Sequence, residues 1–163
     1  MQLKAKFTNF HYVFGTLMSI NGLCVTLLQL PIQKISEKFV ISRAVLLSYL
    51  VMSCTAIGYG VANTLLLLIV AEILFSLGEM LNGPQLQRLI AQIAPVELRG
   101  RYFGIYAMSW GISGVIGPNI GAWALTKMGG AAWFLSLAGL IAVSGAFQYY
   151  WIRRLTSRLP IAI

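Results

Sequence analysis

Aspartate is missing from this chain, and the only carboxylate side chains are Glu37, Glu72, Glu79 and Glu97. Charged residues make up 10% of the 163 residues and apolar ones 58%, against about 25% and roughly 45–50% in soluble domains. So little charge cannot cover the surface of a water-soluble domain of this size, and the soluble globular class is excluded. Disorder is excluded as well, because disordered chains are poor in hydrophobic residues. With a mean hydropathy of +0.80, the chain reads as an integral membrane protein.

Catalytic groups are equally scarce. Histidine occurs once, at His11, and without aspartate no Ser-His-Asp triad can be written. Cys24 and Cys54 sit inside apolar runs with no metal-ligand spacing, and no GxxxxGK phosphate loop occurs. No catalytic residue, no metal ligand and no cofactor is therefore assigned, and the chain is expected not to be an enzyme. An embedded hydrolase using Glu72 and Glu79 is the one enzymatic option left, and no other residue supports it. Twelve Lys and Arg give a net charge of +8, which in a soluble protein would suggest nucleic acid. Cytoplasmic loops of membrane proteins also collect Lys and Arg; that explanation fits the composition better, so no nucleic-acid partner is expected.

Long apolar runs are what the sequence does have. Five are long enough to cross a bilayer, which takes about 20 residues: 12–30, 44–62, 65–90, 102–126 and 131–152. Each is expected to be helical, since an isolated strand in lipid leaves its backbone groups unpaired. A run such as LLLLIVAEILF also lacks the in-out alternation of a membrane barrel strand. The fold class is thus all-α, with five transmembrane helices forming one transmembrane domain over 1–163.

The linkers are short and carry the charge. If the N-terminus is outside and the C-terminus cytoplasmic, Lys34, Lys38, Arg43, Arg88, Arg99, Arg101, Arg153, Arg154 and Arg158 face the cytoplasm. Only Lys4, Lys6 and Lys127 then face outward, and the positive-inside tendency selects this orientation. Lys4 and Lys6 mimic the start of a signal peptide, but no small-residue cleavage site follows the first run. An outward N-terminus is natural if a helix preceding this chain is absent. Aromatics cluster at the span ends, with Tyr102, Phe103 and Tyr106 opening the fourth and Tyr149, Tyr150 and Trp151 closing the fifth. They are read as headgroup-level anchors.

Polar groups inside the spans are the functional candidates. Glu72 and Glu79 stand seven residues apart, about 20° short of two full helical turns, with Ser76 between them and Gly83 and Gln87 below. At about 1.5 Å per residue from Leu65 they lie roughly 10 and 21 Å in, on either side of the midplane of a core about 30 Å thick. A charge at mid-bilayer costs on the order of 2.5–3.5 kcal/mol, so both carboxyls must face protein, water or a substrate path. Two readings stay open: a proton or substrate pathway through Glu72, Ser76 and Glu79, or neutral, hydrogen-bonded carboxyls that hold the bundle together. Desolvation favours the neutral form of any carboxyl group and serves both readings.

The fourth span is rich in glycine, with Gly104, Gly111, Gly114, Gly117 and Gly121, and it contains Pro118. Gly117 and Gly121 form a small-xxx-small pair that permits close helix approach, and Pro118 removes one helical hydrogen bond. Gly58–Gly60 and Gly83–Pro84 are expected to break the second and third helices in a similar way.

The stretch APVELRGRYFGIYAMSWGISGVIGPNIGAW resembles the fourth-to-fifth helix region of a six-helix half in transporters of the major facilitator superfamily. Arg99 and Gly100, followed by Arg101, match that family's RG pair after the fourth helix. Gly117, Pro118 and Gly121 match its G-P-x-x-G-G element, with Ala122 in place of the last glycine; in proton-driven drug exporters this is the antiporter motif. The segment LPIQKISEKFVISR stands where the family's G-x-L-x-D-R-x-G-R/K loop falls and keeps its apolar and basic character without the aspartate, as C-terminal halves do.

The resemblance covers all five spans and implies helices eight to twelve of a twelve-helix carrier. Helix seven and the N-terminal half are then expected as a missing partner. It further implies a bacterial plasma membrane and proton-coupled efflux of small organic compounds or drugs. The polar stripe supplies Glu72, Ser76 and Glu79 as candidates for protons or substrate, and to these are added Gly114, Gly117, Pro118 and Gly121 for bending and packing and Arg99, Gly100 and Arg101 as a cytoplasmic loop motif. A metabolite or sugar carrier of the same superfamily, and an inactive truncated membrane protein, are the alternatives.

Overall fold

The computed structural model describes residues 10–157. Helices α1 (Phe10–Ser36), α2 (Ile41–Val61) and α3 (Leu65–Ile93) lead through a 3-10 turn, Val96–Leu98, into α4 (Arg99–Met128) and α5 (Gly130–Thr156). No strand occurs among the described residues. Each predicted span falls on its own helix, with only Ala62 lying just past α2 as its cap. Four of the helices are long and apolar enough to cross a membrane. The fifth, α4, has the length at 30 residues, but its glycines and its opening Arg99 and Arg101 lower its apolarity. Lys4, Lys6 and Arg158, which took part in the charge count, lie outside the described residues.

Local chemistry sets the breaks between helices. Thr64 caps α3, its hydroxyl accepting the Leu67 N–H at 3.3 Å and so satisfying one of the free donors at the helix start. Between α4 and α5 a single residue, Gly129, turns the chain with φ of +75°, a backbone conformation open to glycine at little cost. α1 runs on to Ser36, beyond the predicted end at residue 30, because a helix leaving the hydrocarbon still satisfies its own backbone. Lys34 in its last turn also suits the negative end of the helix dipole.

The glycine breaks expected in α2 and α3 do not form. Both helices run continuously through Gly58, Gly60, Gly83 and Pro84. Gly58, Gly60 and Gly78 serve instead as contact points, whereas an added Cβ at Gly83 would meet nothing within 4 Å. An added Cβ at Gly58 would stand 3.1 Å from the Ala71 side chain, and one at Gly60 would stand 3.1 Å from Phe134. At Gly78 it would meet Met52 at 2.8 Å, and at Gly145 it would run into Tyr49 Cβ. α2 is thereby clamped between α3 and α5, while Val13 and Leu17 of α1 cluster with Leu68 of α3 and with Ala62 at the end of α2. The opposite end is closed by Ile41, Val45, Leu89 and Ile152.

This packing gives a first expectation. Gly145→Ala overpacks the α2–α5 seam and should cost on the order of 1–3 kcal/mol. Gly111→Ala, where nothing lies within 4 Å, should leave thermal unfolding of the solubilised chain unchanged. Equal melting curves for the two variants would contradict this packing.

α4 stands apart. It touches α3 and α5 only over small patches, and Ala124 is its one buried residue. It continues unbroken through Pro118. At Gly104, Gly111, Gly114, Gly117 and Gly121 an added Cβ would meet nothing within 4 Å. Among the described residues the glycine stripe therefore makes no close helix contact.

Candidate functional site

The polar stripe of α3 meets two different surroundings. Glu72 is 3% exposed and accepts a hydrogen bond from the Tyr59 phenol of α2. Tyr59 leans in turn on Phe134 of α5, with ring centroids 5.8 Å apart. One turn along, Ser76 is fully buried, and its hydroxyl donates to the Glu72 carbonyl at 2.9 Å. It accepts from Asn21 Nδ2 of α1 at 3.0 Å, and the same amide nitrogen reaches Glu79 Oε2 at 3.4 Å. Ser76 and Glu79 are thus tied to α1 through Asn21, while the Glu72 carboxyl is tied to α2 through Tyr59.

Only Glu79 of the three borders open space. A cleft of about 800 Å³ lies between α1, α3 and α4 and is lined by Glu79 but not by Glu72 or Ser76. α1 contributes Asn21, Thr26 and Gln29; α3 adds Asn82 and Gln87 beside Glu79. The opposite wall is aromatic, built by Phe103, Tyr106 and Trp110 of α4. Their spacing of three and four residues places them on one helix face, so the same periodicity that put the carboxylates on one stripe of α3 faces it with rings. The cleft also lies toward one end of the bundle, since it uses α1 from its middle onward, the second half of α3 and the first half of α4.

A second polar group holds the same end together. Gln85 Nε2 donates to Ser36 Oγ at 2.8 Å, and Gln148 Nε2 donates to the Tyr49 hydroxyl at 2.6 Å. Arg88 reaches the Glu37 carbonyl at 3.4 Å, away from the cleft. Arg99, Gly100 and Arg101 are exposed at the opening of α4. Gly114, Gly117 and Pro118 are exposed further along it, with Gly121 half-buried. The structure brings neither of these motifs to Glu79.

Several residues of this site were not singled out in the sequence. Asn21 is an amide within an apolar run, and that incongruity was the signal available. Tyr59 offered none, because the partner of a phenol depends on which helix packs against it. Phe103 and Tyr106, read from the sequence as headgroup-level anchors, line the cleft. Their spacing with Trp110 was legible, but a face alone does not tell lipid from cavity.

Sequence comparison adds the family context. The model described as Major Facilitator Superfamily matches residues 5–162. The uncharacterized MFS-type transporter YhjO of Bacillus subtilis (strain 168) is 28% identical over 156 residues, covering 96% of this chain and 39% of that protein. A Na(+), Li(+), K(+)/H(+) antiporter of Planococcus maritimus is 27% identical, covering 91% of this chain and 35% of that protein. The multidrug resistance protein MdtH of Yersinia enterocolitica is 28% identical over 145 residues, with 85% and 36% covered. The chain thus spans somewhat over a third of the length of these relatives. No solved structure matches it.

Proposed function

The chain belongs to the major facilitator superfamily, and from that premise we propose that it forms one side of a secondary active carrier that exchanges protons for small organic compounds. The observation that carries this reading is the placement of Glu79, an ionisable group on the wall of a cleft and tied to a second helix by Asn21. Carriers of this kind hold substrate near the midplane between two repeats and rock around it. A carboxyl reachable from water there can bind a proton or a cationic substrate group, but not both at once, and such competition is the basis of exchange. Glu72 and Ser76 hold the stripe in place behind it. Relatives named as an antiporter and as a multidrug resistance protein support drug or ion efflux driven by protons.

The remaining parts of the reading follow from charge and length. The rest of the carrier, supplied by chain beyond this one, would close the cleft opposite α4 and pack on its glycine stripe at Gly114, Gly117 and Gly121. Lys34, Lys38, Arg43, Arg88, Arg99, Arg101, Arg153 and Arg154 all sit at one end of the bundle. That end is assigned to the cytoplasm of a bacterial plasma membrane, with Arg99 and Arg101 as anchors beside the loop. A cysteine at Asn63 should then react with an impermeant thiol reagent in intact cells lacking Cys24 and Cys54, while one at Lys38 should not. Labelling in the reverse sense would invert the topology.

Proteoliposomes test the function itself. The complete carrier is expected to accumulate substrate when a pH gradient is imposed, and this chain alone is not. Transport that ignores the gradient in the complete carrier would overturn proton exchange.

A further inference from the structure

We infer that the last turns of α5 form a binding site for an anionic phospholipid. The inference is independent of transport and of which leaflet this end of the bundle faces. Leu140, Val143, Phe147, Tyr150, Trp151 and Arg154 recur at three- and four-residue steps, which places them on one face of α5. The apolar and aromatic members are exposed, from Trp151 at 49% to Val143 at 69%, and Arg154 is exposed beside them. At about 1.5 Å per residue, Leu140 lies roughly 15 Å deeper than Tyr150, half of a hydrocarbon core about 30 Å thick. The stripe matches one lipid molecule: an acyl chain along Leu140, Val143 and Phe147, and a headgroup at the rings and the guanidinium.

Two arginines here lean back toward the bilayer. The Arg154 guanidinium lies 5.6 Å from the centroid of the Trp151 ring, and Arg153 donates to the Tyr149 hydroxyl at 3.4 Å. Each side chain folds back along the helix by about one turn, the direction a helical side chain favours. A snorkelling arginine would instead carry its charge out to the water beyond the helix end. Trp151 is steadied by edge contacts to Tyr150 and Phe147, with centroids 5.7 and 6.1 Å away. The Arg154 charge is thereby held at the depth of the rings, in the layer where Trp and Tyr meet lipid headgroups.

Neighbouring helices supply no counter-charge. α2 and α4, which pack on α5, contain no carboxylate, and Ile152 turns the inner side of this segment onto Ile41, Val45 and Leu89. A guanidinium takes a phosphate bidentately, and it can do so while stacked on a ring because its donors lie along its edge. A zwitterionic headgroup would bring its own cation up to two arginines, whereas phosphatidylglycerol brings a net negative charge. A second copy of the chain is a poor occupant of this face. Across a two-fold contact the same surface returns and sets Arg154 near its own copy with no acid between them.

Native mass spectrometry of the full 163-residue chain in a neutral detergent tests the site. Dioleoylphosphatidylglycerol and dioleoylphosphatidylcholine, which share their acyl chains, are added in equal amounts. The anionic lipid is expected to bind about fivefold more tightly or better. Arg154→Gln should remove roughly fivefold of that preference, the equivalent of about 1 kcal/mol for one basic residue near an anionic surface. Trp151→Leu leaves the net charge unchanged and should also lower the preference, because Arg154 loses the ring that holds it at headgroup depth. Arg101→Gln makes the same charge change as Arg154→Gln at an exposed position on α4, at the same end of the bundle, and should do nothing. Position 154 is exposed as well, so Arg154→Gln keeps the test open even if Trp151→Leu fails to fold. Equal binding of the two lipids, a preference unchanged in Arg154→Gln, or an equal loss in Arg101→Gln would each overturn the site. So would disulfide crosslinking of Phe147→Cys between chains lacking Cys24 and Cys54, which would put a second copy on this face.

Discussion

Glu79→Gln in the complete carrier is expected to abolish accumulation driven by a pH gradient while leaving expression and folding near those of the parent. Gln keeps the shape of the side chain and still accepts the Asn21 amide hydrogen, but it cannot bind and release a proton. Coupling between two ligands is typically worth about 1–3 kcal/mol, roughly 5–150-fold in affinity, so its loss should show as a collapse of the concentration ratio. Downhill exchange or facilitated leak can survive. Glu72→Gln serves as the comparison, because that carboxyl is sealed against Tyr59 and does not line the cleft. It should retain the pH dependence of the parent. If Glu79→Gln transports with unchanged pH dependence, the cleft carboxyl is not the proton site; if Glu72→Gln alone uncouples, the proton path runs through the α2–α3 seam instead.

The contrast between these two carboxyls marks where sequence reasoning runs out. A spacing of seven residues puts Glu72 and Glu79 on one helix face, yet the Glu72 carboxyl pairs with Tyr59 of α2 while Glu79 shares the Asn21 amide of α1 with Ser76. Helical periodicity gives an angle about one axis. It carries no information about which neighbour stands at that angle at each depth. α3 has α2 beside Glu72 and open space beside Glu79, where α4 stands off from the bundle. Five helices and their breaks were legible because hydropathy and turn chemistry are local. The roles of glycine were less so: Gly58 and Gly60 looked like helix breakers and proved to be contact points, while Gly83 neither breaks α3 nor meets a neighbour within 4 Å, since a missing side chain weakens a helix and admits a neighbour equally well. Phe103 and Tyr106 show the same limit for aromatics, which suit a headgroup layer and a cavity wall alike.

Tyr59→Phe is expected to destabilise the bundle more than any change of similar size on the cleft side. The phenol is the hydrogen-bond partner of a carboxyl that is 3% exposed, and removing it leaves a buried acid without that donor. An orphaned buried polar group costs on the order of 1–3 kcal/mol, although interhelical hydrogen bonds inside membranes have averaged only about 0.6 kcal/mol in double-mutant cycles. The lower figure describes reference states that find another partner. Here Phe134 packs beside the ring of Tyr59 and the Ser76 hydroxyl is already committed to the Glu72 carbonyl and the Asn21 amide, so that hydroxyl is no substitute donor. Glu72→Gln keeps an acceptor for the phenol and should cost little. The double variant Tyr59→Phe/Glu72→Leu removes both partners together and should recover part of the loss. Thermal unfolding of the solubilised chain, followed by size-exclusion chromatography, gives all three values. A neutral Tyr59→Phe would mean that the pair contributes nothing to the bundle, and Glu72 would then need a role in transport to account for its burial.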